Sequence, residues 1–122
     1  MTRLTLRLDF AEGRRLGPGK IALLERIAAT GSISAAGRAG GMSYKRAWDL
    51  VDDLNRIFHQ PVVTTRLGGA QGGGAELTAF GAGLVARYRS MEVVARHALE
   101  ADLRAVEAEL AVSPEAPPRP PS

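Results

Sequence analysis

At 122 residues the chain holds one domain and an appendage, with a modest core that pairing with a second copy would enlarge. It has no cysteine, which excludes a disulfide framework and a thiolate metal site, and its two histidines, His59 and His97, lack ligand spacing. The net charge of +3 is uneven, because residues 1–78 carry eleven Lys/Arg against seven Asp/Glu while residues 79–122 carry five against six.

Leu4, Leu6, Leu8 and Phe10 alternate with Thr5, Arg7 and Asp9, the period of a half-buried strand, and Glu12-Gly13-Arg14-Arg15 follows as a turn. This N-terminus lacks the continuous apolar core of a signal peptide, and no stretch approaches membrane-span length, so a cytoplasmic protein without membrane association is expected. Gly17-Pro18-Gly19 opens a helix carrying Ile21, Leu23, Leu24 and Ile27 that closes near Gly31. Ser32 caps a short second helix of small residues, Ile33 to Ala39, and Gly40-Gly41 makes the next turn.

Ser43 caps the third helix and leaves Tyr44, Lys45 and Arg46 in its first turn, with donors free for acceptors outside the protein. From Ala47 the apolar residues recur as Leu50, Val51, Leu54, Ile57 and Phe58, a stripe that anchors the helix to a core. One element thus combines an exposed reading end with a buried anchor, the arrangement by which a helix-turn-helix meets DNA. Trp48, one residue off the stripe, is expected to pack. Asp49, Asp52 and Asp53 mark where the helix leaves the groove or pair with Lys45, Arg46 and Arg56 at neighbouring turns.

The third helix is expected to run to near Pro61. Beyond it, Val62 to Leu67 has strand composition, and Ala75 to Thr78 forms a returning partner. Between them lies Gly68-Gly69-Ala70-Gln71-Gly72-Gly73-Gly74, whose glycines let backbone approach a phosphate closely. It lacks the Gly-Lys-Ser/Thr ending of a nucleotide-binding loop. Its position just after a recognition helix is that of the wing in winged-helix proteins.

Thr78 caps a last long helix expected from Ala79 to about Val112. Leu84, Tyr88, Met91, Ala95 and Ala98, then Leu99, Leu103, Val106 and Leu110 after a one-residue shift, form a coiled-coil-like seam for dimerisation. Pro114 to Ser122 holds five prolines, and residues 113–122 are expected to be a disordered tail. Residues 1–112 are expected to form the folded domain, mainly α with a little β.

The words Gly31-Ser32-Ile33-Ser34-Ala35-Ala36, Met42-Ser43-Tyr44-Lys45-Arg46-Ala47-Trp48, the glycine loop through Ala75, and Leu77-Thr78 closely resemble the N-terminal domain of bacterial molybdate-responsive ModE-type regulators. The resemblance spans about Leu4 to Leu110. It implies a winged helix-turn-helix that binds DNA as a homodimer, is related to LysR-type reading heads, and is joined by its long C-terminal helix and N-terminal segments. Regulators of this type that sense molybdate carry further oxyanion-binding barrel domains. Here the chain passes into the proline-rich tail, so DNA binding is implied more strongly than direct molybdate binding.

The residues expected at DNA are Ser32, Ser34, Ser43, Tyr44, Lys45, Arg46, Arg66, Gly68, Gly69, Gln71, Gly72 and Gly73. Tyr44 divides between DNA contact and packing, Arg66 between a phosphate and a salt bridge, and Ser32 and Ser34 serve first as caps. The partners expected are double-stranded DNA carrying a palindromic operator, a second copy of the chain, and a separate ligand-sensing protein. An alternative makes the chain a protein-interaction or architectural module on the same scaffold. No nucleophile, base and orienting group come at a recognisable spacing, so neither an enzyme nor a cofactor is expected.

Overall fold

The computed structural model describes residues 2–66 and 74–112. The alternating N-terminal segment forms less strand than its pattern predicts: β1 is only Leu8–Asp9, paired antiparallel with β2, Arg15–Leu16. A one-turn 3₁₀ segment, Ala11–Gly13, joins them, with Glu12 and Gly13 at φ 65° and 75°. The pattern survives as burial, since Leu4, Leu6 and Leu8 are half-buried while Arg3, Thr5 and Arg7 are exposed. What holds this segment is a side chain: the hydroxyl of Tyr88 donates to Leu6 O at 2.5 Å. The alternation reports one face on a core, and strand pairing needs a neighbour that is present only at Leu8 and Asp9.

Helix α1, Pro18–Thr30, starts with proline in its first turn and ends at Gly31. There φ is 73°, a conformation glycine adopts without penalty, and the glycine N–H donates to Ile27 O at 2.8 Å. Ile21, Leu23, Leu24 and Ile27 are fully buried, making α1 the centre of the core. Helices α2, Ile33–Ala39, and α3, Tyr44–Ile57, follow, each with a serine cap: Ser32 Oγ accepts from Ala35 N and Ser43 Oγ from Arg46 N, both at 3.0 Å. Helix α3 thus stops four residues short of Pro61.

Strands β3, Val63–Arg66, and β4, Gly74–Leu77, pair antiparallel with Val63 opposite Leu77 and Arg66 opposite Gly74. The hairpin is tied to α1, because Ala75 N–H donates to Gly31 O at 2.9 Å. Helix α4, Ala79–Ala98, begins at Thr78, whose Oγ1 accepts from Gly81 N at 2.9 Å and donates to Pro61 O at 2.8 Å. Arg89 of α4 grips α1 through two bonds to the Glu25 carboxylate, at 2.7 and 3.0 Å, and also donates to Glu92 at 2.7 Å. Hydrogen bonding to Arg89 holds the Glu25 carboxyl below its ordinary range, against a smaller opposing effect of burial.

The single long C-terminal helix expected from the sequence is instead two. Leu99, at φ −101° and ψ 9°, ends α4 and opens α5, Glu100–Glu107. The break falls where the apolar seam shifts by one residue, and Glu100 and Asp102 favour a new helix N-terminus there. Helix α5 buries no residue. The fold is a mainly α winged helix-turn-helix with two small antiparallel sheets. Among the described residues, no helix is long and apolar enough to cross a membrane.

Candidate nucleic-acid interface

The helix-turn-helix is set by a close contact. A Cβ on Gly37 of α2 would lie 2.9 Å from Ala47 Cβ of α3, so the two helices meet as closely as they do only because residue 37 has no side chain. Gly41, at φ 72°, supplies the left-handed turn, and Met42 N–H donates back to Gly37 O at 3.0 Å. Ala47, Leu50, Val51 and Leu54 then bury one face of α3. Its first turn is left in solvent.

That first turn carries the expected contact residues. Tyr44 is 62% exposed and stands edge-on to Trp48, with ring centroids 6.2 Å apart. Lys45 is exposed and ion-paired to Asp49 at 3.0 Å, one turn along the same helix. Arg46 is exposed, and among the described residues its side chain makes no ion pair. An exposed ion pair such as Lys45–Asp49 contributes little to stability, so a phosphate or base can replace it at small cost. Ser43 is exposed, with its oxygen occupied as the cap.

Ser32 caps α2, and Ser34 Oγ accepts from Arg38 at 3.0 Å, so both serines have structural work before any ligand arrives. Arg66, at the end of β3, is exposed and donates to Glu76 across the hairpin at 3.1 Å. Gly68, Gly69, Gln71, Gly72 and Gly73, expected at the wing tip, lie outside the described residues, as do residues 113–122. Trp48 packs half-buried against the core, and its indole N–H is buried without a partner among the described residues.

Asn55 connects α3 to the β3–β4 hairpin. Its side-chain oxygen accepts from Val62 N at 2.7 Å and Val63 N at 3.1 Å, and its amide donates to Val63 O at 3.1 Å. One side chain thereby fixes where β3 leaves the C-terminal end of α3. The available signal was a lone amide beside the apolar stripe near a helix end, where such side chains often satisfy loop backbone. Asn55→Ala removes the side-chain partner of Val62 N–H, Val63 N–H and Val63 O, and both residues are buried. A loss of about 2–3 kcal/mol is expected, measured by urea unfolding.

The seam residues divide. Tyr88 is fully buried and serves the core, while Leu84, Met91, Ala95 and Leu103 are half-buried. Leu99, Val106 and Leu110 are exposed, and so are Val93 and Val94, which the seam did not include.

No family model matches the chain. Among curated proteins it is 51% identical over 80 residues to the molybdenum-pterin-binding protein MopB of Rhodobacter capsulatus, covering 66% of this chain and 30% of that protein. It is 42% identical over 93 residues to the molybdenum transport protein ModE of Azotobacter vinelandii, covering 76% and 34%. With the DNA-binding transcriptional dual regulator ModE of Escherichia coli K12 it shares 38% over 100 residues, covering 80% and 36%. The chain thus spans about a third of the length of the relatives it matches. With its helix-turn-helix and hairpin in place, the chain is a homologue of the ModE, MopA and MopB proteins over that shared stretch.

Proposed function

We propose that the chain is a sequence-specific DNA-binding regulator that acts as a homodimer on a palindromic operator and controls molybdenum-related genes. The observation that carries this reading is the exposed first turn of α3, where Tyr44, Lys45 and Arg46 project from a helix anchored by Ala47, Leu50, Val51 and Leu54. Ser43 to Arg46 enter the major groove, Ser32 and Ser34 face backbone from the start of α2, and Arg66 with the Gly68–Gly73 wing meets the flanking strand. The names of the relatives, a DNA-binding transcriptional regulator and a molybdenum transport protein among them, support the class of target.

Dimerisation is supported by the exposed apolar residues of α4 and α5. Val93, Val94, Val106 and Leu110 are each more than 60% exposed, and pairing them across a two-fold axis with Leu99 and Leu103 removes them from water. Leu84, Met91 and Ala95 extend that seam toward the head, with Tyr88 left to the core. Two heads so joined address half-sites about one helical turn, roughly 34–36 Å, apart. A separate ligand-sensing protein is the partner expected to deliver the signal.

The test is Lys45→Ala and Arg46→Ala, alone and together, measured as operator affinity against salt. Each residue that reads a base is expected to cost about 1–3 kcal/mol and relax the sequence preference at one position. A residue on phosphate instead flattens the salt slope equally for all DNA. Unchanged affinity and slope in the double variant would overturn the placement of α3.

A further inference from the structure

A second basic surface lies beside α3. The β1–β2 hairpin, the start of α1 and one face of α3 enclose a groove of about 520 Å³ whose lining includes Arg7, Arg15, Lys20, Arg46, Leu50 and Asp53. Arg46, Leu50 and Asp53 follow at spacings of four and three, so they are one stripe of α3 turned toward the hairpin.

Two cations of this groove, Arg7 and Lys20, are held in position. Arg7 lays its stem over Gly17, where an added Cβ would sit 3.0 Å from Arg7 Cγ, and its guanidinium donates to both Asp9 oxygens at 2.8 and 3.1 Å. Arg7 and Asp9 therefore largely cancel. Lys20 Nζ donates to Arg15 O at 2.8 Å, a neutral acceptor that fixes the ammonium without neutralising it. Arg15 comes only to 4.0 Å from Asp9, and Arg46 has no ion pair among the described residues. Among the described residues that line the groove, Asp53 is the one carboxylate set against Arg15, Lys20 and Arg46, which leaves a surplus of positive charge.

Charge of this sign, shared by three elements and open to solvent, fits an anionic oxygen cluster. Arg46 belongs both to this groove and to the turn placed in the major groove, so a polyanion held at one is within reach of the other. We infer that the groove binds a backbone phosphate of DNA next to the bases read by α3, with Arg15 and Lys20 as its principal donors and Arg46 shared. The inference rests on the DNA-binding reading and adds to it a contact made by the N-terminal hairpin, outside the helix-turn-helix and the wing.

The experiment compares wild type, Arg15→Gln/Lys20→Gln and Asp53→Asn on operator and random DNA across a salt series, with each variant's thermal midpoint measured alongside. In the double variant the slope of log K against log salt is expected to become shallower by about 0.9 for each phosphate that the protein no longer neutralises, with the ratio of operator to random affinity unchanged. Asp53→Asn is expected to tighten binding to both DNAs by about twofold to fivefold at low salt, a gain that misfolding does not imitate. Specific binding by wild type, with slope and affinity unmoved in both variants, would overturn the inference. So would saturable binding of inorganic phosphate to DNA-free protein that the double variant abolishes while keeping its DNA affinity, since the groove would then serve a free oxyanion. Failure of the wild type to prefer its operator would remove the DNA reading itself, and this contact with it.

Discussion

Gly81→Ala is expected to lower the thermal midpoint by roughly 10–20 °C, about 3 kcal/mol of stability, although alanine is the better helix former. An added Cβ at this position would lie far inside contact distance of the Val62 carbonyl oxygen and 3.1 Å from both Val62 C and Val62 Cγ1. The oxygen has no room to retreat, because it accepts from Thr78 N at 2.9 Å and the next residue, Val63, is held by Asn55. Relief requires moving the start of α4 away from the β3 strand, which opens the buried contact of Val62. Gly83 is the control: it lies two residues further along α4, is exposed, and has nothing within 4 Å of an added Cβ. Gly83→Ala is expected to gain about 0.5–1 kcal/mol. Opposite signs for the two substitutions, read by thermal melting, distinguish close packing from helix propensity, and two equal gains would refute the junction described here.

Gly37→Val is expected to cost about 2–3 kcal/mol of stability and, in protein still folded at the assay temperature, to weaken operator binding more than binding to random DNA. The 2.9 Å between an added Cβ and Ala47 Cβ is already too close, Met42 Cγ is 3.5 Å away, and valine adds two methyl groups to that space. Helix α3 then tilts or slides relative to α2. The surface cations stay on the surface, so charge-driven binding survives, while the reading end loses its register with base edges. Gly37→Ala, one carbon smaller, is expected to show the same pattern at lower amplitude. A drop in affinity equal for all DNA would contradict the role given to the α2–α3 contact.

Much of the helix-turn-helix was legible in the sequence because its determinants are local. Ser32, Ser43 and Thr78 cap the helices they precede, and Gly31 and Gly41 take left-handed conformations at the ends of helices. The Leu50, Val51 and Leu54 stripe is buried as its period predicts. Features that depend on residues distant in sequence were not legible. Tyr88 matches the seam by spacing, yet its partner is Leu6, 82 residues away, and that contact draws it into the core. Alternation at Leu4 to Phe10 reports a half-buried face without saying whether a strand lies alongside. Asn55 and Gly81 carry meaning only once β3 is folded against α3 and α4. The basic groove likewise gathers Arg15, Lys20 and Arg46 from three elements that no window of sequence shows together.

The most direct test of the central claim is binding of the purified chain to its own upstream region and to molybdenum-transport promoter DNA, over a salt series, with random DNA as competitor. A regulator of the kind proposed gives binding that survives competition and footprints two half-sites about one helical turn apart. Weak, steeply salt-dependent binding that is equal for every DNA would contradict it and favour an architectural or protein-interaction role.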